Sequence, residues 1–588
     1  MKIRKTETTV NDVCPHASAR VRVAHSAMSA FFPHTSASHR PPPPPEANRA
    51  VPLAIPHPDN ELYEYLNQTD PSTRQLYDFK IEHPRPIGIL TTSSGKLVEI
   101  RESISLNSDA FSNQYHIDLV THTNNERIPE RIVHAKGGGA FGYFEVTHDV
   151  SKYIKADLFN GIGKITPLVA RFSTVAQNLG GNDLAREAKG FSIKFYTQEG
   201  NLDLLCLNLP VYFYRDPLIS ASFTHAFKRN PKTSLFDFTM RWDFVTKTPD
   251  SIHGFLWLLS DYGIPNGYRK MDAFPIHTYE IYNNEGGRFF VRFNFRSEQG
   301  IQNLPTYVAE AIAARDLDYY NRDLYNAIAN ENYPAWKLEM DVMTFNDIKN
   351  IDYNPFEVTR MWKTGTYHTV QIGRLVLDRN PDNYFRVVEQ SAFNPGNLVP
   401  GILAPLDNMY KSRRSAYRDT QVYRLGVNHN RIDVNTPLYW KVYNRDGLPP
   451  VKNNMKDAPN YYPNSFNGPI PYIDPSRPKE RLTVYEANAV DLEPASYFYN
   501  HYLTEDQRIR LVNNTAPSIV PVAPYMRRRV LRLFTLVDEE LGSQLSKQLQ
   551  QLLKVPPPAP PQVLTVPRKK YYENDYSQYI DSQIKMYS

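Results

Sequence analysis

Cysteine is almost absent from this chain of 588 residues, which contains only Cys14 and Cys206. Two cysteines are too few for a disulfide scaffold or a cysteine metal site, and their scarcity is typical of a reducing compartment. No apolar run approaches the ~18–20 residues that a helix needs to cross a bilayer. The sequence therefore argues against a disulfide-rich secreted protein and predicts no membrane partner.

A strong excess of charge of one sign is also missing. The chain has 67 basic and 62 acidic residues, which gives a net charge of +5. Nucleic-acid-binding proteins usually carry a concentrated basic face. We therefore expect no nucleic-acid partner.

Clear targeting signals are lacking. The N-terminus has no apolar segment of the secretory type, and the chain ends in KMYS instead of a peroxisomal tripeptide. Its basic, Ser-, Ala- and His-rich start leaves a mitochondrial presequence open, although Glu7 and Asp12 argue against one. The expected location is cytoplasmic or peroxisomal, with mitochondria as the alternative.

Proline, which the chain does contain in number, marks its two ends. The run PPPPP at 41–45 lies in a segment with little apolar periodicity, so residues 1–76 are predicted to be disordered. VPPPAPP at 555–561 is expected to end regular structure, and 556–588 is interpreted as a proline-rich tail.

Short aromatic and β-branched runs recur between 128 and about 300 and are typical of an antiparallel sheet or barrel. They read RIVHA, GYFEV, LVARFST, GFSIKFYT and RFFVRFNF. Another strand is predicted at 368–377, and an irregular stretch at 394–478. Helical periodicity is present at 306–330, 493–514 and 527–553.

Gly137, Gly139 and Gly142 match the G-x-G-x-x-G pattern of dinucleotide-binding loops. That fold needs a helix to begin at the glycines, so that its amides meet a pyrophosphate. Here the chain continues FGYFEVTHDV, which favours a second strand. The glycines are better explained by close approach of the backbone to a bulky flat ligand.

These segments together resemble the monofunctional haem catalases, over residues 84 to 553. The motifs that carry the likeness are ERIPERIVHAKGGGAFGYFEVTHD, TPLVARFSTV, REAKGFSIKFYTQEGN, YRDP, RNP, YGIPNGYR, VMTFN, NPFEVTRMW, NYFRVVEQSAFNP and AYRDT.

The resemblance implies an α+β fold with an antiparallel β-barrel haem domain, a wrapping segment and a C-terminal helical domain, usually as a homotetramer. The expected bounds are 77–393 for the barrel core, 394–490 for the wrapping segment with the iron ligand, and 491–555 for the helical domain.

The resemblance assigns His134 to the distal side of the haem. Splitting hydrogen peroxide requires a group that takes a proton from one oxygen and returns it to the other. A neutral imidazole, with an unperturbed pKa of about 6.5, can do both. Ser173 matches the hydroxyl that orients this imidazole, and Val133 and Phe223 match haem contacts.

On the proximal side the resemblance makes Tyr417 the axial ligand of a ferric haem b. Arg413 precedes it by four residues, so on a helix both side chains would share one face. Ferric iron and a nearby guanidinium both favour an ionised phenol. Arg131, Arg171 and Arg424 match residues that clamp the haem propionates, where the arginine fork suits carboxylates.

Several positions depart from the family pattern. Leu207 stands where an asparagine amide holds the peroxide, and Asn208 follows it. Because neighbouring strand residues face opposite sides, we expect no compensation from Asn208. Loss of one such contact typically costs ~2–4 kcal/mol of transition-state stabilisation. Tyr212 and Ser220 replace phenylalanine or another aromatic residue and make the pocket more polar.

The proximal signature RRSAYRDTQ also departs from the family, since Arg414 and Ser415 replace apolar residues and Gln421 replaces a histidine. Arg414 must therefore find solvent or a partner.

The family's optional NADPH site is eroded as well. His253 matches, and Arg296 replaces a lysine. Tyr262 and Thr364 stand where basic or imidazole side chains would meet the nucleotide. The sequence predicts weak or absent NADPH binding.

Three functions remain open from the sequence. The first is catalase-type decomposition of hydrogen peroxide to water and dioxygen, slowed by Leu207. The second is a haem enzyme that acts on organic hydroperoxides or small donors, which Leu207 and Ser220 would suit. The third is a non-catalytic haem-binding subunit, which would pair with an active paralogue in a hetero-oligomer.

Overall fold

The computed structural model describes residues 71–84, 88–103, 113–447, 452–465, 467–484 and 490–555. The predictions for residues 1–70 and for the tail 556–588 lie outside these ranges. Strands are β1 Gly137–Val146, β2 Ile165–Ser173, β3 Gly190–Thr197, β4 Gly200–Leu207, β5 Tyr279–Tyr282, β6 Arg288–Ser297, β7 Ala335–Thr344, β8 His368–Arg379 and β9 Ile402–Leu403.

Helices of the described residues divide into an N-terminal arm, insertions in the sheet and a C-terminal group. They are α1 Pro71–Glu82, α2 Gln114–Asn125, α3 Ser220–Phe227, α4 Phe238–Lys247, α5 Ile252–Leu259, α6 Thr306–Ala313, α7 Tyr319–Ala329, α8 Phe345–Asn350, α9 Asn408–Leu425, α10 Glu493–Tyr497, α11 Glu505–Ile519, α12 Pro524–Val537 and α13 Glu539–Lys554.

The strands form one antiparallel sheet in the order β4-β3-β2-β1-β8-β7-β6-β5-β9. The sheet curls on itself, because Phe274 bridges to Leu207 at the end of β4 while its neighbour Ala273 bridges to Phe295 in β6. Closure of this kind removes the free edge that β4 would otherwise expose. The predicted antiparallel barrel is therefore confirmed.

Side chains that point into the barrel fill it. Phe172 stacks on Phe191 with 4.3 Å between ring centroids and on Tyr268 with 5.0 Å, and Trp336 lies 5.0 Å from Phe191. All four residues are fully buried. Because side chains alternate along a strand, the neighbours of these residues project outward, and a ligand site has to lie outside the barrel.

A second core joins the outer face of the barrel to the C-terminal helices. It contains Leu207 at the end of β4, Leu209 just after it, Trp257 of α5, and apolar residues of α11, α12 and α13 such as Leu545. Helices α3, α4 and α5 come between β4 and β5 along the chain. The sequence had predicted only strands in this region. The space between the barrel wall and these helices is where the predicted site residues converge.

The C-terminal helical predictions were correct in type but wrong in continuity. The predicted helix 527–553 is two helices, because Asp538 is extended (φ −162°) and its side chain accepts a hydrogen bond from the amide of Leu541 to begin α13. The predicted helix 493–514 is interrupted by a π turn at Phe498–Tyr502, after which Thr504 and Gln507 form the capping box of α11.

Two further corrections concern the site directly. RIVHA is not a strand, and β1 begins only at Gly137. Arg171 donates to the carbonyl oxygens of His134 and Ala135, which a strand ladder would otherwise use. The predicted irregular stretch 394–478 contains the 18-residue helix α9, capped at its start by Asp407 and ended by Gly426 at φ 87°.

The N-terminal arm begins earlier than expected, since α1 starts at Pro71 and crosses the predicted boundary at 76/77. The other domain bounds stay predictions. Among the described residues, no helix is both long enough and apolar enough to span a membrane.

Candidate functional site

A row of cross-strand neighbours forms one wall of the site. Ser173 in β2 pairs with Gly190 in β3, which pairs with Leu207 in β4. Directly opposed residues in antiparallel strands project to the same face of the sheet. A side chain at Gly190 would meet the Ser173 hydroxyl at 2.5 Å and the Nδ1 atom of His134 at 2.7 Å. Glycine is therefore required there, and Leu207 projects from the same face as Ser173.

His134 is held against this wall from two sides. Its Nδ1 atom lies 2.9 Å from the Ser173 hydroxyl oxygen. Its backbone adopts φ 64°, in the left-handed region that non-glycine residues rarely occupy. The His134 amide donates to the carbonyl of Val175 at 2.9 Å, and Arg171 donates to the His134 carbonyl at 2.9 Å. These bonds fix the strained backbone and thereby the direction of the imidazole.

The environment keeps the imidazole neutral. Burial lowers the pKa of His134 from 6.5 to about 3, and the positive charges of Arg171, Arg413 and Arg131 act in the same direction. A group so shifted remains an uncharged base throughout the ordinary pH range. Nδ1 of the ring is engaged by Ser173, and a hydrogen bond with the backbone of Thr174 also acts on the imidazole.

Asn208 faces away from this pair. Its side-chain oxygen accepts a hydrogen bond from the amide of Lys189 at 2.7 Å, and its side-chain nitrogen donates to the carbonyl of Tyr262 at 2.9 Å. Both polar atoms are thus used by the backbone on the opposite face of the strand. The Asn208 side chain thus links the backbone at Lys189 to the backbone at Tyr262, and it does not reach His134.

Helix α9 supplies a second group of candidate residues, whose Arg413 lies close enough to act electrostatically on His134. Arg413, Tyr417, Gln421 and Arg424 are spaced by four, four and three residues, which places them on one face of the helix. The Arg413 guanidinium donates to the phenol oxygen of Tyr417 at 3.2 Å. The prediction that these two side chains share a helix face agrees with this geometry.

Two residues that the sequence did not single out support Arg413. Its Nη1 atom lies 2.7 Å from Nε2 of His277, whose Nδ1 atom lies 3.0 Å from the Asp407 carboxylate. Because arginine can only donate, Nε2 of His277 accepts and its Nδ1–H donates to Asp407. Burial lowers the pKa of His277 even though Asp407 opposes this, which is consistent with a neutral ring.

Three further guanidinium groups gather at the end of the site. Arg131 lies 3.6 Å and Arg424 3.8 Å from the carboxylate of Glu389. Burial and the charges of Arg171 and Arg424 lower the pKa of Arg131, and Glu389 offsets this only in part. Nη1 of Arg131 and Nε of Arg171 are buried with no hydrogen-bond partner among the described residues. Positive charge and unused donors are therefore in excess here.

The remaining candidates differ in position. Val133 precedes His134 and is half-buried, and Phe223 of α3 stacks on Phe213 at 5.4 Å between centroids. Tyr212 lies beside Arg413, whose guanidinium is 5.8 Å from its ring centroid. Ser220 is half-buried at the start of α3, and Arg414 is exposed on α9. His253 and Arg296 are not brought to this site and lie at a separate cleft on the outer face of the barrel.

The family model described as Catalase matches residues 91–468 of this chain. The chain belongs to the catalase family.

Similar catalases come from distant organisms. The chain is 40% identical to the catalase of Ascaris suum over 491 residues, covering 82% of this chain and 91% of the relative. It is 40% identical to the catalase of Drosophila melanogaster over 499 residues, covering 82% and 98%. The crystal structure of a fungal catalase superposes with a TM-score of 0.75 at 34% identity, covering 80% of this chain and 98% of that chain. Catalase A from Saccharomyces cerevisiae gives a TM-score of 0.73 at 34% identity, covering 79% and 99%.

Within this catalase, sequence analysis missed His277, Asp407 and Glu389. A signal existed for Asp407, because an Asp before NMYKSRR fits a helix N-cap. Its second contact, with a histidine 130 residues earlier, could not be anticipated from the helix alone. Glu389 ends the π turn Phe385–Glu389, which the sequence pattern does not reveal.

The substitution Asn208→Ala tests the structural role of this amide. It removes two buried hydrogen bonds, so we expect a loss of about 1–3 kcal/mol and a lower melting temperature. Peroxide turnover per folded, haem-loaded chain should change less than twofold. A drop of a hundredfold in that turnover would show instead that Asn208 reaches the substrate.

Proposed function

We propose that this protein decomposes hydrogen peroxide to water and dioxygen with a haem group held between His134 and Tyr417. The observation that carries the proposal is the convergence of two oriented pairs on one site. The pair His134–Ser173 projects from the barrel wall, and the pair Arg413–Tyr417 projects from α9. The charge of Arg413 acts on the imidazole of His134, so the two pairs lie within electrostatic range of each other.

The residues fit a haem in their charge and in their unused donors. A haem carries two carboxylates, whereas among the described residues the ion pairs of Arg131, Arg171 and Arg424 involve one carboxylate, that of Glu389. Nη1 of Arg131 and Nε of Arg171 are buried and have no hydrogen-bond partner among the described residues. Buried charges are stable only when paired, so an anionic group is favoured at this end of the site. Haem b, with ferric iron, is the form we propose.

When bound, the haem supplies a ferric centre at which the O–O bond of peroxide is broken. His134 takes the proton from one peroxide oxygen and returns it to the other, because its neutral ring can accept and then donate. Ser173 holds Nδ1 so that the other nitrogen faces the substrate. Val133 and Phe223 would pack against the porphyrin.

On the other side, Arg413 donates to the phenol oxygen of Tyr417, the residue that we propose would hold the iron. His277 and Asp407 hold the guanidinium in place. Although burial opposes it, the phenol oxygens of Tyr417 and Tyr212 raise the pKa of Arg413, so this group stays charged. A fixed positive charge beside the ligand is what a phenolate requires.

The variant Tyr417→Phe tests the haem ligand. We expect the parent protein supplied with hemin to show the absorption of a high-spin ferric haem with a tyrosinate ligand and to evolve dioxygen from peroxide. The variant should lose both the spectrum and the dioxygen evolution.

Tyr423→Phe is the matched control, because Tyr423 lies on the same helix and is 75% exposed. The proposal fails if the tyrosinate spectrum survives unchanged in Tyr417→Phe.

The pH profile should be flat on its acid side. The folded pKa of His134 is lowered to about 3, so the base form persists from pH 8 down to pH 5. An unshifted imidazole of pKa 6.5 would lose about thirtyfold in its neutral fraction by pH 5. We expect kcat/KM for peroxide to fall less than threefold over this range. A tenfold fall at pH 5 in protein that remains folded would show that His134 titrates normally.

Leu207 is proposed to slow the reaction. It projects beside Ser173 but can neither donate nor accept a hydrogen bond, so the peroxide lacks one polar contact. The variant Leu207→Asn should raise turnover of hydrogen peroxide at least tenfold. Single contacts of this kind contribute rate factors of ~10²–10³ in other enzymes, so tenfold is a modest minimum.

Leu205→Asn is the control, since Leu205 is also buried on the same face of β4 and lies two residues from the row. Equal turnover in the parent, Leu207→Asn and Leu205→Asn would show that the missing amide does not limit the enzyme.

A second candidate substrate is an organic hydroperoxide. The apolar side chain of Leu207 and the small Ser220 favour a larger, partly apolar molecule over the smallest peroxide. The same Leu207→Asn variant separates the two cases, since it would then reduce turnover of cumene hydroperoxide.

We propose the assembly from the apolar side chains that the single chain leaves exposed. Large apolar side chains of the wrapping segment are strongly exposed in the single chain, with Ile470 at 81% and Ile473 at 84%. Such exposure favours burial against further subunits, so we propose a homotetramer. The cytoplasmic or peroxisomal location stays a prediction.

A further inference from the structure

A cleft separate from the haem site lies between the barrel and the C-terminal helices. It consists of two adjoining hollows with volumes of about 350 and about 560 Å³, which include the space that is open to solvent. Both are lined by Phe274, Arg296 and Tyr502. His253 lies buried nearby on α5. This is the region where the resemblance places an optional NADPH.

Tyr502 divides the cleft. It ends the π turn of the C-terminal helices, and its ring lies 4.9 Å from Trp257, 5.5 Å from Phe498 and 6.4 Å from Tyr262, measured between centroids. Trp257 is only 2% exposed, whereas Tyr502 is 43% exposed. Tyr502 therefore covers the indole from the solvent side. A planar ligand that stacked on Trp257 would have to displace it.

Both guanidinium groups that line the cleft among the described residues already have partners. Arg292, which is 9% exposed, donates to the carbonyl oxygens of Arg360 and Glu357. Arg296 lies 3.0 Å from Asp272 and 3.5 Å from Glu339. Asp341 adds a further carboxylate to the wall and accepts a hydrogen bond from Asn294 at 2.8 Å. A dinucleotide brings several negative charges, which need guanidinium or ammonium partners. Among the described residues that line the cleft, Arg296 carries the one exposed guanidinium, and this group is already shared between Asp272 and Glu339.

His253 has no free nitrogen. Its Nδ1 lies 2.7 Å from the carbonyl oxygen of Thr359 and donates to it, and its Nε2 accepts from the indole N–H of Trp257 at 3.3 Å. Burial lowers the pKa of His253 to about 4, so the ring is neutral. The histidine that matches the family pattern thus supports α5 internally.

We infer that Tyr502 closes this cleft from within the chain, because its ring lies tilted against Trp257 and covers the indole, so that the protein holds no dinucleotide. The residues that line the cleft instead form the contact region between the π turn Phe498–Tyr502 and the barrel wall. This inference concerns binding alone and stands apart from peroxide turnover.

The test is equilibrium dialysis of NADPH against the purified, haem-loaded protein and its variants. The parent should retain no more NADPH than the dialysis background. Tyr502→Val should retain at least ten times more, because the indole of Trp257 becomes accessible. The opened site will remain weak, since Arg296 stays paired.

Two controls keep the test decisive. Tyr502→Phe keeps the ring and should stay closed. Tyr497→Val removes a tyrosine of similar exposure (44%) from the preceding helix α10, outside the two hollows, and should also stay closed. If Tyr502→Val does not fold, Tyr502→Leu replaces it. Retention of about one NADPH per parent chain, or a folded Tyr502→Val or Tyr502→Leu that retains no more than Tyr497→Val, would overturn the inference.

Discussion

Four buried guanidinium groups set the chemistry of this site. Arg131 and Arg424 share the carboxylate of Glu389, Arg171 donates to backbone carbonyl oxygens, and Arg413 is held by a neutral histidine. Charges taken out of water must be compensated by partners, and their uncompensated part acts on everything nearby. That excess keeps the imidazole of His134 uncharged and favours an anionic group at the arginine cluster. A single electrostatic constraint therefore acts on both sets of candidate residues.

The barrel provides the rigidity that this charge requires. Its aromatic interior is closely packed, so the strand row of Ser173, Gly190 and Leu207 cannot shift independently. Helix α9 is oriented by Asp407, which both caps the helix and holds His277. Rigid elements of this kind position side chains more accurately than loops would.

Much of this arrangement could be predicted from the sequence, but for different reasons at different places. Alternating aromatic and β-branched runs predicted the strands, and the spacing of Arg413 and Tyr417 predicted a shared helix face. The break at Asp538 could not be predicted, because apolar periodicity continues across it and only the side chain's cap on the Leu541 amide ends the first helix. RIVHA was misassigned because its carbonyl groups bond to Arg171, which lies 36 residues away from Ala135 in sequence. The roles of His277 and Glu389 depend on contacts across more than a hundred residues, which no local pattern contains.

The backbone pair that closes the barrel, Leu207 and Phe274, connects two parts of the structure. Leu207 exchanges backbone hydrogen bonds with Phe274 at 3.0 and 2.8 Å, and Phe274 also lines the outer cleft beside Tyr502. One pair of peptide groups thus lies between the strand end that carries Leu207 and the outer cleft. A displacement of the C-terminal helices that moved Phe274 would be transmitted through this pair to residue 207, two strands away from Ser173. The outer cleft and the wall formed by Ser173, Gly190 and Leu207 are therefore connected by backbone hydrogen bonds.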